Sequence, residues 1–142
     1  MPTIEISRKF LEKLCGRRIT EKDFEVVKGE ASFSGDTVTL ELGDTNRPDL
    51  WSAEGVARAL KGYFGMTKER LNISKSSKKI VVDKKLRNVR PFIAGFSALN
   101  IKVTEDLLID TIQLQEKIGE NYGRKRQKIA IGIYDANKMK FP

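Results

Sequence analysis

The segment Asp44-Thr45-Asn46-Arg47-Pro48-Asp49-Leu50-Trp51-Ser52 constrains this chain more than any other, because it joins a rigid polar turn to an amphipathic helix. Pro48 fixes its own φ and pushes Arg47 towards an extended conformation. Asp49 or Ser52 can cap the following helix by accepting a hydrogen bond from a free backbone N–H, and Asp49 is the favoured cap. The turn holds Asn46, Arg47 and Asp49 in fixed directions. Behind it, Val56, Ala57, Leu60, Tyr63 and Phe64 fall near helical spacing, which predicts a helix over 52–64 stopped by Gly65. Arg47 reads as an ion pair or turn contact before a substrate ligand. Trp51 reads as a packing anchor before a stacking platform for a base.

The remaining elements follow from the same local rules. Ile4 and Ile6 alternate with polar neighbours, which predicts a strand over 3–6. Ser7 can cap a helix over 8–15 that buries Phe10, Leu11 and Leu14 and ends at Gly16. Thr20-Glu21-Lys22-Asp23 resembles a capping box and opens a short helix through Val27, broken at Gly29. Residues 31–33 and 37–42 flank Ser34-Gly35-Asp36, a hairpin signal that puts Val38, Leu40 and Leu42 on one side. Residues 66–78 are polar. Beyond them the pattern predicts a strand over 79–83, a turn over 84–88 and a long strand from Phe92 to Val103. Thr104 then caps a helix over 105–122, with Glu105 and Asp106 where the helix dipole favours acids and Gly123 as its stop. A strand over 129–134 and a turn at 135–137 precede Phe141-Pro142. Three strands and one helix are thin for an independent core, so 66–142 reads as the beginning of a larger domain.

Composition removes several classes of function. The chain has no histidine, which excludes a histidine-based triad and disfavours a transition-metal site. Its single cysteine, Cys15, can form no internal disulfide, which suits a reducing compartment, and it reads as a small buried hydrophobe. No apolar run is long enough to cross a membrane, and no signal peptide is visible. No Gly-Lys-Ser/Thr phosphate loop is present, so ATP binding by this segment is not expected. The carboxylates are scattered and define no catalytic pair.

Charge is unevenly placed. Of the net +8, residues 1–65 contribute −1, with ten Lys and Arg against eleven Asp and Glu, and residues 66–142 contribute +9, with seventeen against eight. A basic half attracts nucleic acid through phosphate neutralisation, or it is a solubilising surface. The run Arg124-Lys125-Arg126-Gln127-Lys128 concentrates that charge after a helix C-terminus. The helix dipole accounts for one or two of these cations, and phosphate contact would account for the others. Gln113 and Gln115 face different sides of the helix. Gln115 lies near its apolar stripe, so its amide either bonds neighbouring backbone or opens into a pocket.

Taken in order, Met1-Pro2-Thr3-Ile4, residues 44–58, Arg90-Pro91-Phe92, Ile112-Gln113-Leu114-Gln115-Glu116-Lys117, Gly123-Arg124-Lys125-Arg126 and Ile129-Ala130-Ile131-Gly132-Ile133-Tyr134-Asp135 resemble the N-terminal part of the phenylalanyl-tRNA synthetase β subunit, of the archaeal and eukaryotic cytosolic type. The resemblance covers essentially all of the chain. It implies an α+β fold: a small helix-rich N-terminal domain over 1–70 of the kind once called DNA-binding-like, a linker over 71–78, and over 79–142 the incomplete start of a mixed α/β tRNA-editing domain. It also implies a cytoplasmic α2β2 partner complex that phenylalanylates tRNA with ATP and Mg2+ at a site on the α subunit, and that hydrolyses mischarged Tyr-tRNA. An apolar pocket rejects an added hydroxyl only weakly, so a second site that hydrogen-bonds the tyrosine hydroxyl can select the error.

On the same resemblance Gln115 lies near the editing pocket, and Arg124, Lys125, Arg126 and Lys128 are candidate RNA contacts. Asn46, Arg47, Pro48, Asp49 and Trp51 form the structural helix entry. The segment itself carries no catalytic residue, metal or cofactor. Its partners are the α subunit, tRNA and the remainder of the β subunit, with no membrane. Two other readings stand beside this one. The chain is a stand-alone truncated relative that binds RNA or the ribosome without catalysis, or its basic half binds acidic protein surfaces.

Overall fold

The computed structural model describes residues 2–44, 46–66 and 72–139. Expectations that touch Met1, Thr45, residues 67–71 of the polar stretch and the terminal Lys140-Phe141-Pro142 lie outside the described residues. The chain divides into two compact units, one made by residues 1–68 with 103–134, the other by residues 69–102 with 135–142.

In the first unit, β1 (Thr3–Ser7), β2 (Gly29–Ser34) and β3 (Thr37–Leu42) form an antiparallel sheet in the order β1-β3-β2. The hairpin β2–β3 pairs Gly29 with Leu42 through Ser34 with Thr37, and β1 pairs Ile4 with Leu40 and Ile6 with Val38. Period-two alternation puts Ile4, Ile6, Val38, Leu40 and Leu42 on the buried side.

Three helices belong to this unit: α1 (Arg8–Cys15), α2 (Ala53–Tyr63) and α3 (Glu105–Glu120). Local chemistry starts each of them. Ser7 Oγ accepts from Phe10 N at 3.2 Å, Ser52 Oγ from Gly55 N at 3.1 Å and Thr104 Oγ1 from Leu107 N at 3.3 Å. A 3-10 helix over Glu21–Val27 replaces the short α-helix expected there, opened by Thr20 N donating to Asp23 Oδ2 at 2.8 Å. Leu11 and Cys15 of α1, Phe24 of the 3-10 helix, and Val56 and Leu60 of α2 fill one core with the sheet. Leu114 and Ile118 of α3 pack against that core.

The cap of α2 corrects the expectation for Asp49. Ser52 is the residue that caps, because a 3-10 turn over Pro48–Leu50 moves the helix start past Asp49. The expected strands over 79–83, 92–103 and 129–134 are also corrected. None of these segments is hydrogen-bonded into a sheet among the described residues. A strand is defined by its neighbour, and alternation within one segment does not supply one. In the second unit, Ile80, Val81, Phe92, Ile93, Phe96 and Leu99 are all more than half exposed. Its regular structure is a 3-10 turn over Lys84–Asn88, where a turn was expected, and another over Ala136–Lys138. Asp83 Oδ1 accepts from Lys85 N at 2.9 Å and Asp135 Oδ1 from Asn137 N at 3.0 Å to open them.

Candidate functional site

The helix entry is built around two close approaches. Arg47 lays its guanidinium along Asp49, with Nη2 to Oδ2 at 2.7 Å and Nε to Oδ1 at 2.9 Å. That bond holds the Asp49 carboxyl below its ordinary range. The pair is solvent-exposed and closes the turn on itself. The second approach is at Gly55, where a Cβ would stand 1.6 Å from the Asp49 carbonyl oxygen. Only glycine lets the 3-10 turn fold back on the first turn of α2. Trp51 is buried, as its packing role required, and its ring lies 5.6 Å from that of Tyr122. Asn46 and Pro48 complete the turn, and no described side-chain bond engages Asn46.

α3 is fastened to the same place by polar groups. Asp110 is 4% exposed, and its Oδ2 accepts from Ala53 N at 2.8 Å, one of the free N–H groups at the start of α2. Its other oxygen, Oδ1, and Oε1 of Glu54 are both buried without a partner. A buried carboxyl beside a second carboxylate favours its neutral form. Burial first, and then the adjoining Glu54 carboxyl, push Asp110 up to about 8, so Asp110 keeps its proton at neutral pH.

Three residues further along α3, Gln113 pairs with the outer edge of β1. Its Nε2 donates to Glu5 O at 2.9 Å and its Oε1 accepts from Glu5 N at 2.8 Å. A side-chain amide thus takes the place of a neighbouring strand at that residue. Gln113 is the glutamine that binds backbone. Gln115, the expected pocket residue, is half-buried and makes none of these bonds. It lines neither of two concavities on this unit, a shallow one edged by Arg8, Ile19 and Phe33 and a small cleft edged by Phe10, Asp106 and Asp110.

The basic run folds as a tight turn after α3. Gly123 N donates to Ile118 O at 2.8 Å, Arg126 N to Gly119 O at 2.9 Å and Lys128 N to Gly123 O at 2.7 Å. A Cβ on Gly123 would meet the carbonyl oxygens of Gly119 at 2.2 Å and Ile129 at 2.6 Å, so this crossing requires glycine. Arg124, Lys125 and Arg126 all adopt left-handed backbone, with φ of 48°, 55° and 62°. Arg126 turns back across Gly119 and engages Glu116 and Glu120, the latter at 3.3 Å. Arg124, Lys125 and Lys128 are exposed. The structure therefore brings the helix entry and the base of the basic turn together through Trp51 and Tyr122.

Sequence reasoning missed Gly55, Asp110, Glu54 and Gln113. A glycine inside a helical pattern and a carboxylate on its apolar side were the available signals. Cys15, 2% exposed with its thiol pushed up by burial, sits in the core as expected.

A three-stranded antiparallel sheet backed by short helices, entered through a proline turn, defines the architecture as a small α+β module. Over its whole length the chain is similar to the N-terminal part of phenylalanine–tRNA ligase beta subunits. It is 40% identical to the beta subunit of Pyrococcus furiosus and 38% identical to that of Borrelia recurrentis, in each case across 100% of this chain and 28% of the relative. The chain thus spans little more than a quarter of the length of these relatives. It also superposes, with a TM-score of 0.85 and 38% identity over 99% of its length, on a crystal structure of an N-terminal fragment of the phenylalanyl-tRNA synthetase beta subunit from Pyrococcus horikoshii, covering 44% of that structure. No protein-family model matches the chain. No helix among the described residues is long and apolar enough to cross a membrane.

Proposed function

We propose that this chain is the N-terminal segment of a phenylalanyl-tRNA synthetase β subunit, structural in role and not catalytic by itself. The observation that carries the reading is the likeness to such subunits from one end of the chain to the other. In the parent complex an α subunit activates phenylalanine with ATP and Mg2+ and transfers it to tRNA in the cytoplasm. Residues 1–70 supply a supporting domain and 71–78 a linker. Residues 79–142 open the domain that hydrolyses mischarged Tyr-tRNA. The exposed Ile80, Val81, Phe92, Ile93, Phe96 and Leu99 are consistent with strands that find their neighbours elsewhere in the β subunit. Gln115 contributes a polar group near the tyrosine-reading pocket.

The test is purification of the native protein with its α subunit. The expected result is phenylalanine-dependent ATP–pyrophosphate exchange and deacylation of Tyr-tRNA(Phe), the latter slowed by Gln115→Ala. A native reading frame that stops after Pro142, together with failure to co-purify with an α subunit, would overturn the reading and favour a stand-alone RNA- or ribosome-binding module.

A further inference from the structure

The geometry points to a phosphate-binding turn in which Arg124, Lys125 and Lys128 contact the backbone of tRNA while Arg126, ion-paired on the surface of α3, anchors the turn. This inference rests on the reading of the chain as part of a tRNA-charging enzyme.

The four cations of the run are not equivalent. Arg126 is occupied by Glu116 and Glu120 and lies over Gly119, so it fixes the turn to the last turns of α3. The backbone bonds of Gly123, Lys125, Arg126 and Lys128 close the turn onto carbonyls of residues 118–123. Tyr122, immediately before it, rests on the buried Trp51. A loop held at these points presents its outer side chains in fixed directions, which lowers the ordering cost of a contact.

Those outer side chains carry charge of one sign. Arg124, Lys125 and Lys128 are exposed, and among the described residues none of the three forms an ion pair. The turn also places residues with long side chains where glycine or asparagine is usual. Three successive left-handed non-glycine residues are uncommon, and such strain gathers at binding sites. A planar guanidinium beside two ammonium groups, on the half of the chain that bears net +9, matches a phosphate backbone in charge and hydrogen-bond geometry. No aromatic side chain interrupts the run, which favours duplex phosphates over unstacked bases.

The experiment uses the assembled parent enzyme with Arg124, Lys125 and Lys128 replaced together by Gln. Affinity for uncharged tRNA(Phe) is measured across a salt series. Loss of three phosphate contacts is expected to weaken binding about 10- to 100-fold at low salt and to reduce the slope of log K against log salt by about two to three. The single variants Arg124→Gln and Lys128→Gln should each lower the slope by just under one, and these remain decisive if the triple variant folds poorly. Phenylalanine-dependent ATP–pyrophosphate exchange, which needs no tRNA, should be unchanged. Exchange retained with an unaltered tRNA affinity and salt slope overturns the phosphate-binding turn and leaves an acidic protein surface as its partner. Absence of exchange in the unmutated assembly overturns the broader reading instead.

Discussion

Single residues carry the tightest constraints in this molecule, and two of them are glycines with no room for a methyl group. At Gly55 a Cβ would overlap the Asp49 carbonyl, so Gly55→Ala must push the 3-10 turn away from α2. The expected cost is about 3 kcal/mol in chemical denaturation, the upper end of overpacking effects. A change below about 0.5 kcal/mol, the scale of ordinary surface substitutions, would show that the turn does not approach the helix this closely. Lys125 makes the opposite prediction. Its left-handed backbone costs an L-residue about 1–2 kcal/mol, so Lys125→Gly should stabilise the fold by about 1 kcal/mol. If the turn contacts phosphate as proposed, the same variant should bind tRNA more weakly, because the substitution also removes a cation.

At the scale of elements, the docking of α3 depends on two polar fastenings beside its apolar stripe. The Asp110–Glu54 pair makes the stability of this unit depend on pH. Asp110 titrates at about 8 when folded, above the ordinary carboxylate value of the unfolded chain, about 4. Between these values the folded state keeps a proton that the unfolded state has released. The contribution is complete below about pH 4 and is lost as pH rises through about 8. Melting temperature should therefore fall from pH 5 to pH 8.5 by more than about 5 °C, the shift that 1 kcal/mol gives a domain of this size. Asp110→Asn, whose amide can donate to Glu54 and accept from Ala53, should flatten that dependence. An unchanged pH profile in this variant would remove the protonated Asp110 from the account. Gln113 is tested separately. Gln113→Ala should speed hydrogen exchange of the Glu5 amide about five- to tenfold, since loss of one net hydrogen bond is worth about 1 to 1.4 kcal/mol.

The helix starts were legible for a local reason. Ser7 and Thr104 cap backbone three residues away, and Val38, Leu40 and Leu42 share a face through the pleat alone. The fastenings of α3 were not legible, because Asp110 meets Ala53 across 57 residues and Gln113 meets Glu5 across 108. That Gln113 is the glutamine of α3 that meets the edge of β1 was hidden by the same gap. Helical spacing tells which residues share a stripe but not which stripe meets a strand edge. The segments over 79–83, 92–103 and 129–134 carry strand-like patterns and no strand neighbours among the described residues, so their sequence stated a preference that pairing there did not complete.

For the whole molecule, the charge imbalance and the ordered motifs are properties of the chain written out in line. They were enough to suggest a likeness to the β subunit, and comparison along the entire length bears out that likeness. By itself the sequence determined the caps of α1 and α3, the hairpin, the rigid proline entry and the basic half, because each arises from residues within a few positions of one another. Tertiary structure alone decided that Ser52 and not Asp49 caps α2, that Gly55 must be glycine, and that Asp110 keeps its proton. It also paired Arg126 with Glu116 and Glu120 on the surface and left Arg124, Lys125 and Lys128 without an ion pair among the described residues. Those outcomes depend on which distant backbone and side-chain groups exclude water from one another, and distance along the chain does not encode that.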